Sequence, residues 1–103
     1  MKLWATTTNS AGIVKIYVAP KLSDCYAVTY WEPKKGHYIH VSQELLDCHD
    51  PYLLNDYLVH EFIHVLEGQF KKELALKPDK NCTQAAVVFG RELPRMLRNF
   101  KKV

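Results

Sequence analysis

Asp50-Pro51-Tyr52-Leu53-Leu54-Asn55-Asp56-Tyr57-Leu58-Val59-His60-Glu61-Phe62-Ile63-His64-Val65-Leu66 is the stretch from which the rest of the chain is best read. Asp50 can cap a helix, and Pro51 suits the first turn, where its missing N–H costs nothing. A helix from here puts Leu54, Leu58, Phe62 and Val65 on one apolar stripe. Val59, Ile63 and Leu66 add a second, so the helix is predicted to be apolar nearly all round and buried. One narrow polar face remains, carrying Asp56, His60, His64 and Glu67, with Glu61 at its edge.

That face spells HExxH. Residues four apart on a helix stack roughly 6 Å apart, so His60 and His64 can grip one metal ion while Glu61 stands beside it. A catalytic zinc takes three protein ligands and keeps one position open, so the two imidazoles leave a vacancy. Glu67 lies on the same ridge as the histidines, which would put three ligands nearly in a line. A group from a second element surrounds the ion better, and Glu92, on the last predicted helix, is preferred as third ligand. Glu67 is kept as the alternative, or as a group supporting the site from behind. Asp56, one turn before His60, is a candidate to fix the tautomer of that ligand. His37, His40, His49 and Cys48 are weaker candidates as ligands, because neither a strand histidine nor a lone Cys-His pair supplies structural-zinc spacing.

The chain has 103 residues, enough for a single domain spanning 1–103 and no second core. Hydrophobic residues at 48% and charged residues at 24% fit a globular domain, neither disordered nor membrane-embedded. The start, Met1 to Thr8, lacks the continuous apolar region of a secretory signal, and a cytoplasmic location is expected. Cys25, Cys48 and Cys82 are odd in number and widely spaced, so they are expected as reduced, small buried side chains. A net charge of +3 is mild. The basic clusters at Lys34-Lys35, Lys71-Lys72 and Arg91 to Lys102 are read as solvated faces, without a recognisable nucleic-acid-binding pattern.

Upstream, Ile13 to Val18 alternates as a strand. Cys25 to Trp31 is β-branched and aromatic, and Glu32-Pro33-Lys34-Lys35-Gly36 turns it into a hairpin with His37 to Val41. Ser42 to Leu46 has the form of a capped short helix or turn. Downstream, Gly68 ends or loosens the motif helix, Gln69 to Leu76 can continue or restart it, and Lys77-Pro78-Asp79 breaks it. A last helix is predicted from about Thr83 to Arg98, kinked where the Pro94 ring opposes the Gly90 carbonyl. The expected fold is α+β, with a small three-stranded, mainly antiparallel sheet packed on a buried active-site helix and a C-terminal helix.

Leu58 to His64, the strand pattern Tyr38-Ile39-His40-Val41 before it, and Glu92, 28 residues after His64, together resemble zincin-type metallopeptidases of the gluzincin group. Within that group the chain is most similar to the ImmA/IrrE-type HExxH peptidase domain, over roughly residues 13 to 95. The resemblance implies a minimal zincin-like fold and a Zn2+ ion held by His60, His64 and Glu92. It further implies peptide-bond hydrolysis by a zinc-bound water, with Glu61 as general base and then general acid. Its substrates would be peptides or proteins, repressor-like proteins among them; a nucleic-acid groove is the minority reading of the basic clusters, and no membrane partner is expected. Tyr38, His40 and Tyr57 are candidate donors to the developing oxyanion. The strand His37 to Val41 is a candidate edge for an extended substrate.

Three rivals stand beside this reading. A deformylase-like hydrolase would use HExxH with Cys25 as third ligand. A non-catalytic protein-interaction module would keep the fold without the chemistry. A latent peptidase would cover its own cleft with the tail Leu97 to Val103.

Overall fold

The structure, a computed structural model, describes residues 1–22, 24–75 and 78–103, apart from the side chains of residues 78–84. Its elements are β1 (Lys2–Asn9), β2 (Gly12–Ala19), β3 (Ala27–Glu32), β4 (Gly36–Ser42), α1 (Gln43–Asp47), α2 (Pro51–Gln69), α3 (Lys71–Leu74), α4 (Pro78–Asn99) and β5 (Lys101–Lys102). The class is α+β, but the expected three-stranded, zincin-like sheet is corrected. There are five strands in the order β3-β4-β2-β1-β5, and the sheet is mixed. β2 and β4 run parallel, while β1–β2, β3–β4 and β1–β5 are antiparallel.

Two strands are missing from the sequence reading, the two-residue β5 and the full-length β1. The inward row of β1 is Ala5, Thr7 and Asn9, all buried, so the period of two is present but two of its three members are polar. Each is compensated by a distant partner. Thr7 Oγ1 donates to the Met96 carbonyl at 2.6 Å, and Asn9 Nδ2 donates to Gln69 Oε1 at 2.8 Å. A buried polar group tolerates this position only when so bonded, and these bonds tie β1 to α4 and to the end of α2.

The parallel pairing follows from where β3 goes. After β2 the chain crosses to the far edge, makes β3, and returns by the expected hairpin so that β4 lies between β3 and β2. Gly36 starts β4 at φ 70°, a conformation glycine adopts without steric cost. Ile16 then sits beside Ile39, and Val18 beside Val41.

Against this face pack Phe62, Val65 and Leu66 of α2 and Val88 and Met96 of α4, closing one core with Val14, Ile16, Ile39 and Val41. Ser42 caps α1, its Oγ accepting from Leu45 N–H, and Asp50 Oδ1 caps α2, accepting from the N–H groups of Tyr52 and Leu53. Both caps are the ones expected. α2 is, however, buried on one side only. Leu58, Glu61, Phe62, Val65 and Leu66 are buried, while Asp56, His60, His64 and Glu67 are exposed and Val59 and Ile63 half-buried.

The last helix begins at Pro78, ahead of the expected start near Thr83, because proline is suited to a first helical turn. It runs through Pro94 as one element. The restart expected within Gln69 to Leu76 is α3, Lys71–Leu74; Leu76, and Lys77 of the expected break, lie outside the described residues, as does the Cys82 side chain. Cys25 and Cys48 are exposed free thiols, not buried ones. Among the described residues no helix is long and apolar enough to cross a membrane.

Candidate metal centre

α2 is amphipathic enough to be anchored by Phe62, Val65 and Leu66, and that anchoring turns His60 and His64 outward on adjacent turns. Their Nε2 atoms face each other at 3.0 Å. Two nitrogens bound to one tetrahedral zinc at about 2.05 Å would stand about 3.3 Å apart, so the pair needs to open by only a few tenths of an ångström. On the far side of the His64 ring, Nδ1 lies 3.4 Å from Glu67 Oε1. A carboxylate there favours the tautomer with hydrogen on Nδ1 and the lone pair on Nε2, the one that binds metal. Of the two carboxylates expected as supports, Glu67 stands beside a ligand ring, that of His64.

Glu61 is 5% exposed. Thr29 of the edge strand β3 donates its hydroxyl to Glu61 Oε1 at 2.8 Å and lies 3.3 Å from the Glu61 carbonyl. The helix and the edge strand are joined at the acidic residue of the motif. Sequence reasoning missed Thr29; its place opposite Ile39 in the inward row follows only from the register of β3 on β4.

A cavity of about 510 Å³ opens over this group, lined by β3, by His37 of β4 and by His60, Glu61 and His64, with Cys25 at its margin. Trp31, 61% exposed, forms part of its wall. The His37 ring lies directly against Gly68, where a Cβ would collide with its Nε2. α2 ends at Gln69, one residue past Gly68 and close to the expected end, and Gly68 also admits the ring of His37. Burial, with the Lys71 ammonium nearby, holds the His37 imidazole below the usual histidine range and favours its neutral form.

Glu92 is placed elsewhere. It is fully buried, and its carboxylate accepts from the Ser10 N–H at 3.0 Å and is paired with Arg91 and with Arg95 at 3.6 Å. Burial pushes its carboxyl up, but the Ser10 and Arg91 hydrogen bonds and the Arg95 charge outweigh that and hold it below the usual range. The structure does not bring it to the histidine pair. Among the described residues no group of three His, Cys, Asp or Glu side chains is arranged to hold a metal.

Other expectations are also redirected. Tyr38 and His40 flank the inward-facing Ile39 and cluster with Tyr17 and Tyr30 on the other face of the sheet, away from α2. Tyr57 packs edge-on to Tyr26. None of the three donates into the cavity. β4 is paired on both sides and has no free edge; the edge strand beside the site is β3. The tail does not cover the cavity, since Lys101–Lys102 pairs with β1 at the opposite edge.

Compared with known proteins, the chain matches no family model, no curated protein and no solved structure.

Proposed function

We propose that the chain is a zinc-dependent metallopeptidase in which His60 and His64 hold the ion and Glu61 is the general base. The observation that carries this is the approach of the two Nε2 atoms to 3.0 Å beside a buried glutamate pinned by Thr29. The residues fit zinc at two of the three protein positions a catalytic site uses, and Glu67 supports one of them from behind. Cys25 and His37 are the further donors on the cavity wall, whereas Glu92 would have to leave Ser10, Arg91 and Arg95 to join.

Zinc, when bound, would supply a Lewis acid and acidify water at neutral pH. Glu61 would take a proton from the attacking water and return it to the leaving amine, a role worth on the order of 10²–10⁴ in rate. Thr29 occupies Oε1, orients the carboxylate and leaves Oε2 for this exchange. The outer edge of β3 supports binding of an extended peptide by main-chain hydrogen bonds, with Trp31 against one of its side chains. A repressor-like protein with an accessible loop is a substrate of the right form.

The test is cleavage of a fluorogenic protein substrate by the zinc-loaded chain. Cleavage is expected, with loss on chelation and in Glu61→Gln. Zinc binding without cleavage would favour the non-catalytic module.

A further inference from the structure

The helices pack on one face of the sheet, and among the described residues none covers the other. On that open face, alternation brings together Tyr17 of β2, Tyr38 and His40 of β4 and Tyr30 of β3. The four rings form one cluster. Tyr30 stacks on Tyr38 with centroids 5.4 Å apart, Tyr17 meets Tyr38 edge-on at 6.1 Å, and His40 lies 4.6 Å from Tyr30. Tyr30 is 39% exposed. Tyrosines contributed by three strands to an uncovered face are more than the sheet needs to hold together, because its core is already closed on the other side.

The rim is basic. Lys15 is in register with Tyr38, and Lys34 and Lys35 come from the β3–β4 turn. Lys35 Nζ stands 5.7 Å from the Tyr38 ring centre. With Ile13, Tyr17 and Tyr38 these lysines line a cavity of about 350 Å³. The acid at this rim is Glu32, 3.5 Å from Lys35; among the described residues Lys15 and Lys34 have no ion-pair partner.

π-faces flanked by three ammonium groups, two of them without an ion-pair partner among the described residues, suit a ligand that alternates planar rings with anions. We propose that this face binds single-stranded nucleic acid, with bases stacking on Tyr30 and Tyr38 and phosphates meeting Lys15, Lys34 and Lys35. A duplex hides the base faces and would gain only the lysines. The ring cluster lies on the opposite face of the sheet from His60 and His64, with Tyr30 of the edge strand β3 also lining the cavity beside them, and the inference does not depend on the proposed peptidase activity.

The experiment is fluorescence anisotropy of the full chain with a labelled oligothymidylate of about 12 nucleotides, within the usual range of single-strand sites. Saturable binding is expected, weakening with salt on a log–log slope of about −2, three phosphates at roughly 0.7 each. Tyr30→Ala and Tyr38→Ala should each weaken it about tenfold or more. Tyr38→Phe, which keeps the ring, should leave it unchanged. The double variant Lys34→Glu, Lys35→Glu lies in an exposed turn that does not endanger folding, and it should remove binding. Glu32→Gln should tighten it by freeing Lys35, and Glu61→Gln should not affect it. The proposal is overturned by absence of binding at low salt, by equal affinity for the matching duplex, by indifference to Tyr38→Ala and the lysine pair, or by preference for an acidic peptide.

Discussion

His60 Nε2 and His64 Nε2 face each other at 3.0 Å across one turn of α2. Without metal, one of them donates and the other accepts. With Glu67 holding the hydrogen of His64 on Nδ1, the donor is His60, and that proton must leave Nε2 when a metal enters. Protons compete with a metal for the imidazole lone pairs, so zinc binding should weaken on acidification, and Glu67→Ala should lower affinity about 10-fold or more without abolishing it. Isothermal titration at several pH values measures both.

Thr29→Val removes the hydroxyl that holds Glu61 Oε1 and keeps the shape of the side chain. Zinc affinity should be unchanged, while the cleavage rate falls about tenfold, because the base is no longer oriented. Steady-state kinetics beside metal titration separates the two.

Gly68→Ala places a methyl group where the His37 ring lies. Moving a half-buried ring out of its packing costs about 1–3 kcal/mol. Denaturant unfolding should show that loss, and His37→Ala in the same background should recover most of it.

Glu92 is a buried anion with a depressed pKa. A group whose folded pKa lies below its unfolded one stabilises the fold above the unfolded value, near 4.5, and loses that contribution as pH falls through the folded value. Glu92→Gln should cost about 2 kcal/mol at pH 7 and flatten the acid side of the stability profile. Its zinc content should equal that of the unsubstituted chain, since the carboxylate is engaged by Ser10, Arg91 and Arg95; a loss of zinc would show that Glu92 leaves them to coordinate.

β2, the β3–β4 hairpin, both capped helix starts and the outward face of α2 were legible because each is written locally, in alternation, in a turn with Pro and Gly, or in Asp50-Pro51. β1 was not, because Thr7 and Asn9 disguise its inward row and are made tolerable by Met96 and Gln69, far away in sequence. The parallel pairing of β2 with β4 leaves no mark on either strand, so the free edge was assigned to β4 when it belongs to β3. Glu92 lies on the last helix as expected, but besides the neighbouring Arg91 and Arg95 it is held by a main-chain N–H in the β1–β2 turn, and a backbone donor carries no side-chain signature. The histidine pair, by contrast, is a matter of helical spacing alone.

The most direct measurement is the metal content of the purified chain after exposure to zinc and exhaustive dialysis, beside His60→Ala, His64→Ala and Glu61→Gln. Near one zinc per chain is expected in the unsubstituted protein and in Glu61→Gln, with loss in both histidine variants. A metal-free unsubstituted protein, or zinc retained without His60 and His64, would contradict the assignment of the pair as a metal grip.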